Sequence, residues 1–160
     1  MKVSWSIVLI NQSIHNLDLL SYLAGNITSV KTNMFNYSLE GDIEVEDTCV
    51  SYIKFKSGIK GVFFATNANA ENDAPEISVY FEKGNAKCCL DKLFINEEMH
   101  CENTKSTVVG KEYWGSSHEK VISDFYDKNK FYNIYSIENT MNAMFAMYES
   151  AELQGREIRI

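Results

Sequence analysis

The chain has 160 residues, 15 Lys+Arg against 22 Asp+Glu, a net charge of -7 and 45% hydrophobic side chains. That length suits one domain with a substantial core, and charged and aromatic fractions of 23% and 12% exclude a disordered chain. The acidic balance and the lack of any Lys/Arg run argue against nucleic acid, which needs a basic stripe to neutralise phosphates.

No stretch approaches the roughly 20 apolar residues of a membrane helix. The early apolar run at residues 7–10 is too short for a signal peptide and is followed by Asn11, Gln12, His15 and Asp18. Cys49, Cys88, Cys89 and Cys101 show no C-x-x-C spacing, so neither a zinc site nor a redox pair is indicated. Reduced thiols in a cytoplasm are the simplest account. Pro75 is the single proline, and no repeat or linker divides the sequence, so one domain over residues 1–160 is expected.

Residues 10–24 carry Ile10, Ile14, Leu17, Leu20 and Ala24 at helical spacing, with Gly25 as a stop. The period then changes. Residues 28–38 read as a strand, and residues 47–56 and 59–67 as two strands around Ser57-Gly58. Residues 76–81 and 86–90 pair similarly around Lys83-Gly84. Residues 93–95 and 99–102 are weaker and read as edge strands. Ser116 with Glu119 fits a capping box for a helix to about residue 127. Ser136 can cap a longer helix to about residue 154, with Ile137, Met141, Met144, Phe145, Tyr148 and Ala151 on its apolar side. Gly155 ends it, and Ile158 and Ile160 suggest a short last strand. This order predicts an α+β fold: an open, largely antiparallel sheet with helices packed on one face.

The chain lacks both G-x-G-x-x-G and G-x-x-x-x-G-K-[ST], so it offers no recognisable cradle for a dinucleotide or triphosphate. A G-x-S-x-G hydrolase elbow is missing too. The informative group is Asn11, His15 and Asp18, four and three residues apart, which shares one helical stripe continued by Tyr22. A carboxylate beside an imidazole fixes its tautomer and raises its proton affinity, and such a histidine can exchange a proton with a hydroxyl. The same spacing also describes an ordinary solvated face with a local His–Asp contact. His118 and His100 read as surface residues, and the acidic stretch Glu40, Asp42, Glu44, Glu46 and Asp47 as a solvated loop without calcium-loop order.

Residues 8–20, VLINQSIHNLDLL, followed by Tyr22-Leu23-Ala24-Gly25, resemble the start of the C-terminal domain of the Gfo/Idh/MocA oxidoreductases. Further matches keep the family order: Glu46-Asp47-Thr48 with Phe55 and Gly58, Gly115-Ser116-Ser117-His118-Glu119 with Asp124-Phe125, then Tyr148-Glu149-Ser150-Ala151 and Gly155. The resemblance implies the substrate-binding and oligomerisation part of an NAD(P)-dependent oxidoreductase acting on a secondary alcohol of a sugar or polyol. It implies His15 as catalytic acid/base, Asn11 as a substrate contact or a support of catalysis, and Asp18 as a support that orients the helix or the histidine. It also implies homo-oligomerisation through the free sheet face.

Two departures stand out. The family's N-terminal Rossmann domain, which binds NAD or NADP, has no counterpart here, and Trp5-Ser6-Ile7 replaces a usual Gly-Gly-Gly run. The chain is therefore expected to hold no cofactor itself, to need NAD or NADP in its full-length parent, and to be inactive alone. A non-catalytic ligand-binding or assembly module with the same fold is the alternative.

Overall fold

A computed structural model of the chain describes residues 8–37, 45–69, 74–89, 92–102, 118–127 and 134–160. Among the described residues, eight strands and three α-helices form an α+β arrangement, and every strand pairing is antiparallel. The expected single sheet is instead two four-stranded sheets, each in its own compact unit. One unit comprises Met1–Ala70 with Tyr132–Ile160, the other Glu71–Phe131.

The first unit holds β1 (Ile27–Phe35), β2 (Thr48–Phe55), β3 (Lys60–Thr66) and β8 (Ile158–Arg159), in the order β3-β2-β1-β8. The β2–β3 hairpin turns at Ser57-Gly58 as the sequence predicts. Gly58 adopts φ +88°, a backbone state that only glycine takes without cost. Alternation decides which side each residue faces. Across the sheet, Val30, Ile53 and Gly61 align, as do Thr32, Ser51 and Phe63, and Met34, Cys49 and Ala65. These rows form the covered face. They meet α1 (Ile14–Ala24) and α3 (Glu138–Glu152) in one core that includes Leu9, Leu17, Ala143, Met144 and Met147. Lys31, Tyr52 and Val62 form a row on the opposite face, as do Asn33, Val50 and Phe64. Val62 is 71% exposed and Phe64 63%.

α3 departs from the expected pattern. It begins after a 3-10 turn, Ile134–Ile137, so Ser136 lies inside that turn and does not cap the helix. Its buried residues are Thr140, Ala143, Met144, Ala146, Met147 and Ser150, whereas Phe145 is 59% exposed. The buried face mixes small side chains with Met144 and Met147, and the bulky Phe145 faces outward.

The second unit holds β4 (Glu76–Phe81), β5 (Gly84–Cys89), β6 (Lys92–Ile95) and β7 (Glu98–Glu102), in chain order, with α2 (His118–Asp127). β6 is therefore an inner strand, not the edge expected, while β7 is an edge. Asn96 and Glu97 both have positive φ, the geometry of a tight two-residue hairpin. That compact turn lets the four-residue β6 pair on both sides. The proposed cap Ser116 lies outside the described residues, as do Trp5 and Trp114. None of the four cysteines forms a disulfide.

Candidate functional site

The predicted first helix forms, but in two windings. Residues Val8–Ser13 are π-helical, and α1 continues from Ile14. A π segment closes its turns with i→i+5 bonds, and the Ser13 hydroxyl donates to the Val8 carbonyl five residues back at 2.7 Å. The wider winding moves the buried stripe to Val8, Leu9, Ser13 and Leu17, so Ile10, expected in the core, is exposed. π segments are frequent at functional sites, and this one carries Asn11 and ends just before His15.

Asn11 and His15 are both exposed, and neither side chain has a hydrogen-bond partner among the described residues. Asp18 does not reach His15. Its Oδ1 accepts a 2.7 Å bond from the Thr140 hydroxyl on α3. The carboxylate thus ties α1 to α3, which fits orientation of the helix and not of the imidazole. At the end of α1, Ser57 Oγ donates to the Ala24 carbonyl at 2.7 Å, filling one of the orphan acceptors of the last turn.

At the start of the π segment, the residues expected to form a solvated loop do something else. Glu46 Oε1 accepts from the Leu9 backbone N–H at 3.3 Å and from the Tyr148 hydroxyl at 3.0 Å. Burial raises the Tyr148 hydroxyl pKa, reinforced by the neighbouring Glu46 charge. The same causes, burial first, push the Cys49 thiol up to about 12. Asp47 is fully buried, accepting from the Tyr37 N–H and the Thr48 hydroxyl, both at 2.8 Å. Glu46, Tyr148 and Thr140 were not singled out as site residues from sequence. Glu46 and Tyr148 do lie in two of the short segments that carry the family resemblance.

The Leu9 amide at the start of the π segment, which could meet a phosphate, is taken by Glu46. Among the described residues no group of three or more His, Cys, Asp or Glu could hold a metal ion, and no helix is long and apolar enough to cross a membrane. Two open depressions lie on the second sheet, one of them lined by Glu76, Ser78, Tyr80, Lys87 and Phe94, and neither includes Asn11 or His15.

Residues 3–87, just over half of the chain, match the model of the GFO/IDH/MocA C-terminal domain, and the chain belongs to that family. No curated protein matches it. Among solved structures it is similar to an oxidoreductase domain protein from Kribbella flavida, at 17% identity and a TM-score of 0.74, covering 96% of this chain and 50% of that one. It is similar to the WlbA dehydrogenase from Chromobacterium violaceum, in complex with NADH and UDP-GlcNAcA, at 23% identity and a TM-score of 0.71. That match covers 96% of this chain and 46% of that one. Levoglucosan dehydrogenase, in complex with NADH and levoglucosan, matches at 18% identity and a TM-score of 0.72, with 96% and 50% covered. The fold is therefore theirs, and the chain spans about half the length of these proteins.

Proposed function

We propose that this chain is the substrate-binding and oligomerising part of an NAD(P)-dependent oxidoreductase that acts on a secondary alcohol of a sugar or polyol. The observation that carries the reading is His15, exposed beside Asn11 where a π segment passes into α1, in a chain whose family and fold neighbours include dehydrogenases with sugar ligands. His15 would accept the hydroxyl proton as the alcohol becomes a ketone, and return it in reverse. Asn11 would hydrogen-bond the substrate, and Asp18 would hold α1 against α3 through Thr140. The nicotinamide supplies the hydride chemistry and would sit on a dinucleotide-binding half not formed by these residues. The NAD(H) complexes of the neighbours favour NAD for the parent. The chain alone would bind substrate weakly and turn nothing over. Four cysteines that form no disulfide suit a cytoplasmic setting.

The test is a titration of the chain with NADH, NADPH and a panel of sugars and polyols, followed by calorimetry and by the histidine NMR resonances. Sugar- or polyol-induced shifts at His15, lost in His15→Asn, support the reading. Saturable dinucleotide binding by this chain would overturn the division of labour. Sugar binding that leaves His15 untouched would favour the non-catalytic module instead.

A further inference from the structure

The start of helix 1 is capped by two residues that are distant in sequence and that the acid/base reading does not use. A helix begins with backbone N–H groups that have no intrahelical partner, usually met by a side chain just before the first turn. Here Glu46, entering β2, accepts from the Leu9 N–H, and Tyr148, on α3, donates its hydroxyl to the same carboxylate oxygen and holds it in place. One carboxylate and one phenol thus form a composite cap, at the helix end where negative charge is favoured. Asn11 lies two residues beyond Leu9, and His15 lies one turn further on.

We propose that Glu46 and Tyr148 are positioning residues, which fix the π-helical turn at Val8–Ser13 and thereby the placement of Asn11 and His15. The proposal rests on the reading of His15 given above. Three polar ties then locate helix 1: this cap at its start, Asp18–Thr140 in its middle and Ser57 at its end. The cap is the tie nearest to Asn11, and it is built from α3, which also supplies Thr140. Movement of α3 would therefore carry the cap and the middle tie together. The phenol is held in its neutral, donating form, because deprotonation would set a second negative charge against Glu46.

Amide hydrogen exchange and histidine NMR on this chain test the proposal. The Leu9 amide should be protected, although first-turn amides ordinarily exchange freely. Tyr148→Phe, which deletes the hydroxyl that holds Glu46, should speed exchange at Leu9 about tenfold and shift the Asn11 amide and the His15 ring resonances. Glu46→Ala should do the same at Leu9, and Glu46→Gln, which keeps an acceptor oxygen, should restore protection. Unchanged His15 resonances in both Tyr148→Phe and Glu46→Ala would overturn the proposal. So would exchange that rises uniformly across the chain, since that marks general support of the fold. If the cap variants move His15 but His15→Asn leaves sugar-induced shifts intact, the acid/base reading fails while the positioning role stands.

Discussion

Asn139 on α3 hydrogen-bonds both backbone groups of Ile27 on β1: its side-chain oxygen accepts from the Ile27 N–H at 2.7 Å, and its amide donates to the Ile27 carbonyl at 3.0 Å. The side chain imitates a strand partner where none exists. On that side β1 has only the two-residue β8 as a neighbour, paired through Ser29 and Val30. The Ile160 N–H serves the Thr28 carbonyl at 3.0 Å, and the Ser150 hydroxyl takes the Thr32 N–H at 2.8 Å. Helix side chains thus complete an edge that the last strand is too short to cover, and they fix α3, with Thr140 and Tyr148, against the sheet.

Removing either substitute partner should be costly for its size. Asn139→Ala strands a donor and an acceptor at Ile27, and Ser150→Ala strands the Thr32 N–H and the Arg156 carbonyl, which the hydroxyl otherwise serves at 2.6 Å. Each should lower stability by about 1–3 kcal/mol. Urea denaturation followed by circular dichroism measures this. A change below about 0.5 kcal/mol in both would mean that water replaces these contacts freely.

The orientation of α3 gives a sharper contrast. Met147 is fully buried against the sheet, whereas Phe145 points to solvent. Met147→Ala should cost about 2–5 kcal/mol, and Phe145→Ala less than about 0.5 kcal/mol. Comparable losses at both positions would mean that the helix is rotated from the arrangement described.

That contrast shows where sequence reasoning reached and where it stopped. The strands, the hairpin at Ser57-Gly58 and the first helix were legible because alternation and turn chemistry act locally. The buried side of α3 was not. Hydrophobicity favours Phe145 over Thr140 and Ser150, but the sheet accepts a face of small side chains whose hydroxyls serve β1 and Asp18. Glu46 and Asp47 misled for a related reason. Acidic residues in a charged stretch look solvated, and only the folded chain supplies the Leu9 and Tyr37 amides and the Tyr148 phenol that hold them. His15 and Asn11 could be chosen from spacing and resemblance, but the tie from Asp18 to Thr140 crosses 122 residues of sequence and left no local trace.

Thiol reactivity should separate the cysteines and reveal a pH dependence. Cys88 and Cys101 are exposed and should react with a thiol reagent in the folded protein, while buried Cys49 should react only on unfolding. Its thiol rises from an ordinary 9.0 to about 12 in the fold. Above about pH 9 the unfolded chain therefore loses this proton while the folded chain keeps it. The folded state then binds more protons, so stability is complete below about pH 9 and falls as pH climbs toward 12. Urea midpoints taken between about pH 8 and about pH 10.5 should decline. In Cys49→Ala the decline should be shallower and start later, with the Tyr148 share that begins nearer its ordinary 10.0. An unaltered slope in that variant would assign the alkaline loss elsewhere.

The open face of the first sheet bears on assembly. Val62 and Phe64 project from β3 beside Tyr52 and Val50 of β2, and Phe35 and Tyr37 stack at 5.0 Å near the end of β1. The helices of this unit cover the opposite face, and among the described residues of the unit no layer covers these apolar side chains. Sheets that leave such a face uncovered commonly bury it between copies. Lys31 closes one row of the face, beside Tyr52 and Val62. Val62→Lys would add a second cation to that row and should leave the folded unit intact while opposing self-association. Light scattering on a sizing column should give more than one 18.3 kDa chain for the wild type and one chain for Val62→Lys and Phe64→Lys. A wild-type monomer at high protein concentration would remove oligomerisation through this face from the proposed function and leave substrate binding to be judged at His15 alone.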